Sequence, residues 1–347
     1  MRESGGSALR RGLLGLAAAV TTAGAGYWLY RAASRRSSRA SAGTRDLESR
    51  LGSLGGEAPE RPGFSSKDQA PSGGGPQAEK DLSKSPSGLE AYHIGNLLHI
   101  LETTEDPLVQ EQVLVTLSNS AAFSVNQDII RYLGGLSLIG KMLSVPVTSV
   151  KEKALNALNN LSMNTKNQEE VKIYITEVCE EVDASFLNSE LQLAGLRFLT
   201  NISVINDYHY MMTSFIPNFL NLLFEGNERT QVQVLKVLVN LSANPAMAEH
   251  LLNSQAPLLP SLLDSSVNKD ILLRVLAFAT NLTKSMKNEK SAIIHYQYSE
   301  GSIFSILSGN SLYTQKLASL LYHDDTEVKE QVAELITQQC QHSGQPQ

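Results

Sequence analysis

Five asparagines carry the most suggestive spacing in the chain. They close the segments TLSNSA, ALNNLS, FLTNIS, VLVNLS and FATNLT as Asn119, Asn160, Asn201, Asn240 and Asn281, at separations of 41, 41, 39 and 41 residues. A side-chain amide offers both a donor and an acceptor. Such a row can therefore pair with main-chain groups, either of its own helices or of a second chain. Asn160, Asn201, Asn240 and Asn281 also satisfy N-x-[ST]. A sequon that recurs at one place in a helical repeat, on a domain expected to face the cytosol, reads as structural and not as a glycan acceptor.

The residues that could do covalent or acid–base chemistry do not converge. No P-loop, GxGxxG, GxSxG or HExxH is present. The histidines are dispersed, and His93 and His99, six residues apart, fall on different faces of a helix. The acid pairs Glu169-Glu170, Glu180-Glu181 and Asp324-Asp325 read as solvated positions near helix ends or loops. Cys179 and Cys340 are far apart and lack metal-ligand spacing, which excludes a disulfide framework and favours a reducing compartment. No nucleophile, base and orienter can be assembled, and no metal or cofactor motif is found. These observations predict a binding protein, not an enzyme.

The asparagines need elements to hold them, and the apolar pattern supplies these. In the second repeat Val150, Ala154, Leu158 and Leu161 form a stripe on one helix face, widened by Leu155. Leu114, Leu196, Leu235 and Leu276 correspond to Leu155, and Leu117, Leu199 and Leu238 to Leu158, while Ala279 breaks the second series. Upstream of such helices lie the apolar runs LGGLSLIGKML, IPNFLNLLF and APLLPSLLD, where Gly134-Gly135, Pro217 and Pro260 read as boundary residues. No segment alternates long enough to propose a sheet. A period near 40 with two or three helices fits armadillo or HEAT repeats, whose units bury their apolar faces by stacking. After Asn281 the register slips. TEVKEQVAELI at 326–336 resembles SVKEKALNALN at 149–159, with Gln338 in the asparagine's place. The predicted domain is therefore an all-α solenoid over 88–340, of about five repeats and a divergent sixth, followed by a tail at 341–347.

A different kind of segment precedes it. After a short tail (1–11), residues 12–30, from Gly12 to Tyr30, run without a charge, about long enough to cross a hydrocarbon core. Tyr27, Trp28 and Tyr30 cluster at its end as an aromatic belt would, and Arg31 can snorkel outward. Residues 1–45 hold eight arginines against one acid, with the excess after the span, so the positive-inside rule places the rest of the chain in the cytosol. The remainder is then clearly acidic, which disfavours a broad nucleic-acid surface. Such a signal anchor suits the mitochondrial outer membrane, and endoplasmic reticulum remains the alternative. The aromatics and arginines that follow at once argue against a cleaved signal peptide, and the lack of arginine within 12–30 argues against a transit peptide. Small residues four apart (Gly15, Ala19, Ala23) would allow weak self-association through the anchor. Residues 31–87, rich in Ser, Gly, Pro and Arg, predict a disordered tether.

Two apolar helices followed by a third ending in L-x-N-L-S resemble armadillo repeats. The stretches TLSNSAAFSVNQDIIRYLGG, KEKALNALNNLS and VQVLKVLVNLSANPAM, with the anchor–linker–repeat layout, are similar to the mitochondrial armadillo-repeat family with its X-linked members. That resemblance implies a right-handed helical solenoid on the outer mitochondrial membrane, acting in mitochondrial distribution, transport or dynamics through the Miro GTPase and Trak kinesin-adaptor machinery. A regulator of growth or survival that binds a signalling protein or transcription factor is the alternative it leaves open. It also implies that the third helices line a concave groove, where Asn119, Asn160, Asn201, Asn240 and Asn281 would bond the backbone of an extended peptide. Nuclear-import armadillo proteins carry tryptophan one turn before the asparagine. Here Val115, Asn156, Arg197, Lys236 and Ala277 stand there, and the sole tryptophan is Trp28. A nuclear-localisation-signal receptor is thus not expected, and Arg197 and Lys236 favour an acidic ligand.

Overall fold

The structure is a computed structural model and describes residues 86–288 and 298–343. The expected tail, anchor and tether, with Gly12, Tyr27, Trp28, Tyr30 and Arg31, lie outside the described residues. Among those described, no helix is long and apolar enough to cross a membrane. They fall in two compact units divided between Leu133 and Gly134.

The first unit holds α1 (Pro86–Thr103), α2 (Pro107–Ser120) and α3 (Ser124–Tyr132). Asp106 caps α2 by accepting from the Leu108 N–H at 3.0 Å, and Pro107 starts the helix where its missing N–H is not needed. α1 packs on both partners, with Ile94, Leu97, Leu98, Leu101, Val113, Leu114, Leu117 and Ile130 all buried.

The second unit repeats one motif. It runs through α4 (Gly135–Lys141), α5 (Thr148–Leu161), α6 (Thr165–Val171), α7 (Ile175–Ala184) and α8 (Glu190–Ile202). A 3-10 segment, Asn206–Phe215, then leads to α9 (Ile216–Glu225) and α10 (Glu228–Ser242). α11 (Ala248–Asn253), α12 (Lys269–Asn288), α13 (Ile303–Leu307), α14 (Ser311–Leu320) and α15 (Thr326–Ser343) complete it. The long helices stack in series, α5 on α8, α8 on α10, α10 on α12 and α12 on α15. Among the described residues the only strand-like pairing is an isolated bridge between Gln255 and Ser302.

The expected stripe is the core of this stack. Val150, Ala154, Leu155, Leu158 and Leu161 are fully buried, as are Leu196, Leu199, Leu235, Leu238 and Leu276. Each such leucine contributes about 2 kcal/mol by leaving water. The expected boundaries also appear. Gly134 takes a left-handed φ of 72° just before α4, and Pro217 lies in the first turn of α9. At Gly140 and Gly195 neighbouring side chains come close enough to demand a small residue. A Cβ on Gly140 would stand 2.0 Å from the Tyr174 ring, and one on Gly195 would stand 2.5 Å from Val182.

α8, α10 and α12 also start from a side-chain cap, which α5 lacks at Val147. The Ser189 hydroxyl accepts from Gln192 N–H at 3.1 Å, Asn227 Oδ1 from Thr230 N–H at 3.1 Å, and Asn268 Oδ1 from Asp270 N–H at 2.9 Å. Asn188, in the left-handed region at φ 65°, ties two repeats together at this end. Its Oδ1 accepts from Asn227 N–H at 2.7 Å and from Thr230 Oγ1 at 2.9 Å. α8, α10 and α12 are thus held by caps at one end and by asparagines at the other.

Candidate functional site

At the far end of the long helices the asparagines make one arrangement three times. Asn201 Nδ2 donates to the Asn159 carbonyl at 2.9 Å, to Asn159 Oδ1 at 3.0 Å and to Ser162 Oγ at 3.3 Å. Asn240 Nδ2 donates to the Thr200 carbonyl at 3.2 Å and to Ser203 Oγ at 2.9 Å. Asn281 Nδ2 donates to the Val239 carbonyl at 3.4 Å and to Ser242 Oγ at 3.1 Å. In every case the acceptors are the carbonyl just before the preceding repeat's asparagine and the serine just after it. Ser162, Ser203 and Ser242 donate in turn to those same carbonyls, at 2.8, 3.1 and 2.9 Å. The carbonyls lie near helix C-termini, where intrahelical donors run short, and only the Val239 carbonyl among the three also accepts from a backbone N–H, that of Ala243 at 3.2 Å.

This fixes which end of each amide faces inward. A carbonyl oxygen cannot donate, so only Nδ2 can meet it. The Oδ1 atoms of Asn201, Asn240 and Asn281 accept no hydrogen bond among the described residues, and none of them is sealed from solvent. Three acceptors spaced one repeat apart therefore remain for a guest. Asn160 supplies the first platform of the series and accepts a bond from Asn159 Nδ2 at 3.4 Å. Asn119 is half-buried near the end of α2, in the first unit. A glycan on the Nδ2 of Asn201, Asn240 or Asn281 would displace these contacts between repeats.

One turn before the asparagines, Arg197 and Lys236 are half-buried on α8 and α10. Arg274 on α12, also half-buried, extends their charge, since it and Arg197 both act on Lys236. Burial first, then the repulsion of Arg274 and Arg197, lowers the Lys236 pKa, and Asp270 opposes that. The Lys236 ammonium bonds Gln233 Oε1 at 3.4 Å, and no carboxylate among the described residues lies within ion-pair distance of it. Glu190 is engaged chiefly by Arg229, at 2.8 and 3.3 Å, with Arg197 more distant at 3.7 Å. Asp270 is taken by Arg274 at 2.6 Å.

A second polar layer lies behind the ladder. Gln127 Nε2 donates to the Ala121 carbonyl at 2.8 Å in the first unit, and Gln168 Nε2 to the Ser162 carbonyl at 2.7 Å in the second. In the next repeat His209 takes this place, with Nε2 2.7 Å from the Ser203 carbonyl and Nδ1 3.1 Å from Asn244 Nδ2. Nε2 must then carry the proton and Nδ1 accept.

The sequence pattern marked the asparagines but not Ser162, Ser203 and Ser242, although L-x-N-L-S contains them. Their repetition was the available signal. Arg274 lies one turn earlier than Arg197 and Lys236, so a reading by equivalent positions passes over it.

A stack of short helix, helix and long helix, latched by asparagines at three successive junctions, defines an armadillo-type repeat protein. A sequence profile of the Armadillo-like family matches residues 89–308, well over half of the chain, and the chain belongs to that family. Its fold is similar to that of a crystallised engineered protein, with TM-score 0.59 at 17% identity, covering 72% of this chain and 96% of that one. A designed armadillo repeat protein matches with TM-score 0.59 at 15% identity, over 71% of this chain and 99% of that one. Another, in complex with the peptide (KR)4, matches with TM-score 0.59 at 14% identity and the same coverages.

Proposed function

We propose that the chain is a protein-binding scaffold, with no catalytic role, whose long helices hold an extended segment of a partner protein along the asparagine row. The outward Oδ1 atoms of Asn201, Asn240 and Asn281 carry this reading. They are aligned acceptors that the fold does not use, and the backbone N–H groups of an extended chain are donors of any sequence. That a designed relative of this fold was solved with a peptide is consistent with it.

The second part of the proposal is place. The charge-free run from Gly12 to Tyr30, its aromatic end and the arginines after it support a single-pass anchor, with the repeats displayed in the cytosol from the mitochondrial outer membrane. The resemblance to the mitochondrial armadillo family supports a role in mitochondrial distribution, transport or dynamics, with the Miro and Trak machinery as partners. Proximity labelling from the intact chain, compared with a chain lacking residues 12–30, tests both parts together. Outer-membrane and motor-adaptor proteins should dominate the intact profile and fall away without the anchor. Labelling of reticulum proteins would overturn the location. A profile of signalling or transcription factors that survives loss of the anchor would replace transport with growth regulation.

A further inference from the structure

The asparagine row says nothing about which side chains a guest carries, because Oδ1 meets only backbone. The charges beside it do. Beside the row stand Arg197 on α8, Lys236 on α10 and Arg274 on α12, while the acids Glu190 and Asp270 are already bonded to Arg229 and Arg274. Lys236 sits between Arg197 and Arg274 in the series, with Gln233 its only side-chain partner among the described residues. The basic strip is local. The matching position on α5 is Asn156, that on α12 is Ala277, and α15 brings Glu334, which pairs with Lys284 at 3.4 Å.

We propose that this strip selects an extended peptide segment with acidic side chains at alternate positions, and that Lys236 is the residue that discriminates. The proposal rests on the peptide-binding reading of the same row and names the chemistry of its partner. Helices pack about 8–10 Å apart, so α8 to α12 spans about 16–20 Å, which an extended chain crosses in about six residues. Alternate side chains of such a segment point the same way, and two or three carboxylates would meet Arg197, Lys236 and Arg274 while the backbone meets the Oδ1 acceptors. A carboxylate beside Lys236 relieves the repulsion from the two arginines and supplies the partner its ammonium lacks.

A membrane surface fits less well. The side chains of Arg197 and Arg274 are only 33% and 26% exposed, recessed along the helices, whereas lipid headgroups are met by extended, protruding cations. A phosphate backbone is disfavoured by the net charge of −6 on the molecule.

The test is fluorescence anisotropy with the full chain and three labelled dodecapeptides of alternating Glu-Ser, Gln-Ser and Lys-Ser, at low and physiological salt. The Glu peptide should bind roughly tenfold or more tighter than the Gln peptide, with the Lys peptide weakest, and salt should narrow the gap. Lys236→Glu should weaken the Glu peptide by roughly tenfold or more, and Lys236→Gln by less. Lys236→Arg should restore binding, and Lys166→Gln, an exposed lysine on α6, should leave it unchanged. Unchanged thermal midpoints would show that the variants fold. If the three peptides bind equally, or Lys236→Glu has no effect, acid selection is wrong while the peptide-binding face stands. If no peptide binds, both fall. If Lys236→Glu weakens binding to phosphatidylserine vesicles and not to the Glu peptide, the strip serves lipid and the proposal is overturned.

Discussion

An amide that has committed its N–H groups to the neighbouring repeat has only an oxygen left to offer. In Asn201, Asn240 and Asn281 Nδ2 latches the stack and Oδ1 is the acceptor left over. The latch is measurable. Asn240→Ala removes bonds to the Thr200 carbonyl and Ser203 Oγ, and should cost about 1–2 kcal/mol in urea unfolding. A second residue-scale prediction concerns His209, which burial holds below the ordinary histidine range of about 6.5. The folded state disfavours the proton, because Nδ1 already accepts from Asn244. The unfolded chain binds it more readily, so stability is fully present above about 6.5 and declines as pH falls from there through the folded value. His209→Gln, copying Gln168 in the preceding repeat, should keep the bond to the Ser203 carbonyl and flatten the acid limb of the stability–pH curve below about 6.5. An unchanged acid limb would show that His209 does not set it.

At the scale of elements the last junction differs from those before it. Between α12 and α15 the series of amide latches stops. Thr283, in the serine's place, is buried with its hydroxyl unpartnered, and so are Gln331 Oε1 and Gln338 Oε1. Gln338 turns its amide nitrogen to Glu334 Oε1 of its own helix at 2.9 Å. Ion pairs cross this junction beside the buried Val328, Val332 and Leu335, Lys269 with Asp325 at 2.5 Å and Glu327 at 3.1 Å, and Lys284 with Glu334 at 3.4 Å. Exposed pairs contribute about 0–1 kcal/mol each and are screened by salt. Amides of α15 should therefore exchange with deuterium faster than those of α10, and the difference should widen as salt rises to about 1 M. Equal protection at both ionic strengths would mean that apolar packing alone holds the end of the stack.

The same elements show what a sequence exposes and what it hides. Leu155, Leu158 and their equivalents were legible because one buried stripe repeated through the chain must come from one repeated helix. Asn201, Asn240 and Asn281 were legible as a row for the same reason. Their division of labour was not, because it depends on the slide between adjacent helices. Nor was the 3-10 winding of Asn206–Phe215, where the earlier repeat has α6. The slip of register after Asn281 was visible, but the replacement of amide latches by ion pairs at that end was not, since it rests on pairs about 50 residues apart.

At the scale of the molecule, a stack with acceptors one repeat apart carries a basic strip on an otherwise acidic repeat region. The most direct measurement places a photo-crosslinking amino acid, p-benzoylphenylalanine, at Ala277 in the row, or at Ile173, which is 66% exposed between α6 and α7. With the full chain expressed in cells, partner crosslinks should form from position 277 and be sparse from 173. Crosslinks from 173 at equal or higher yield, with none from 277, would contradict the claim that the partner lies along the asparagine row.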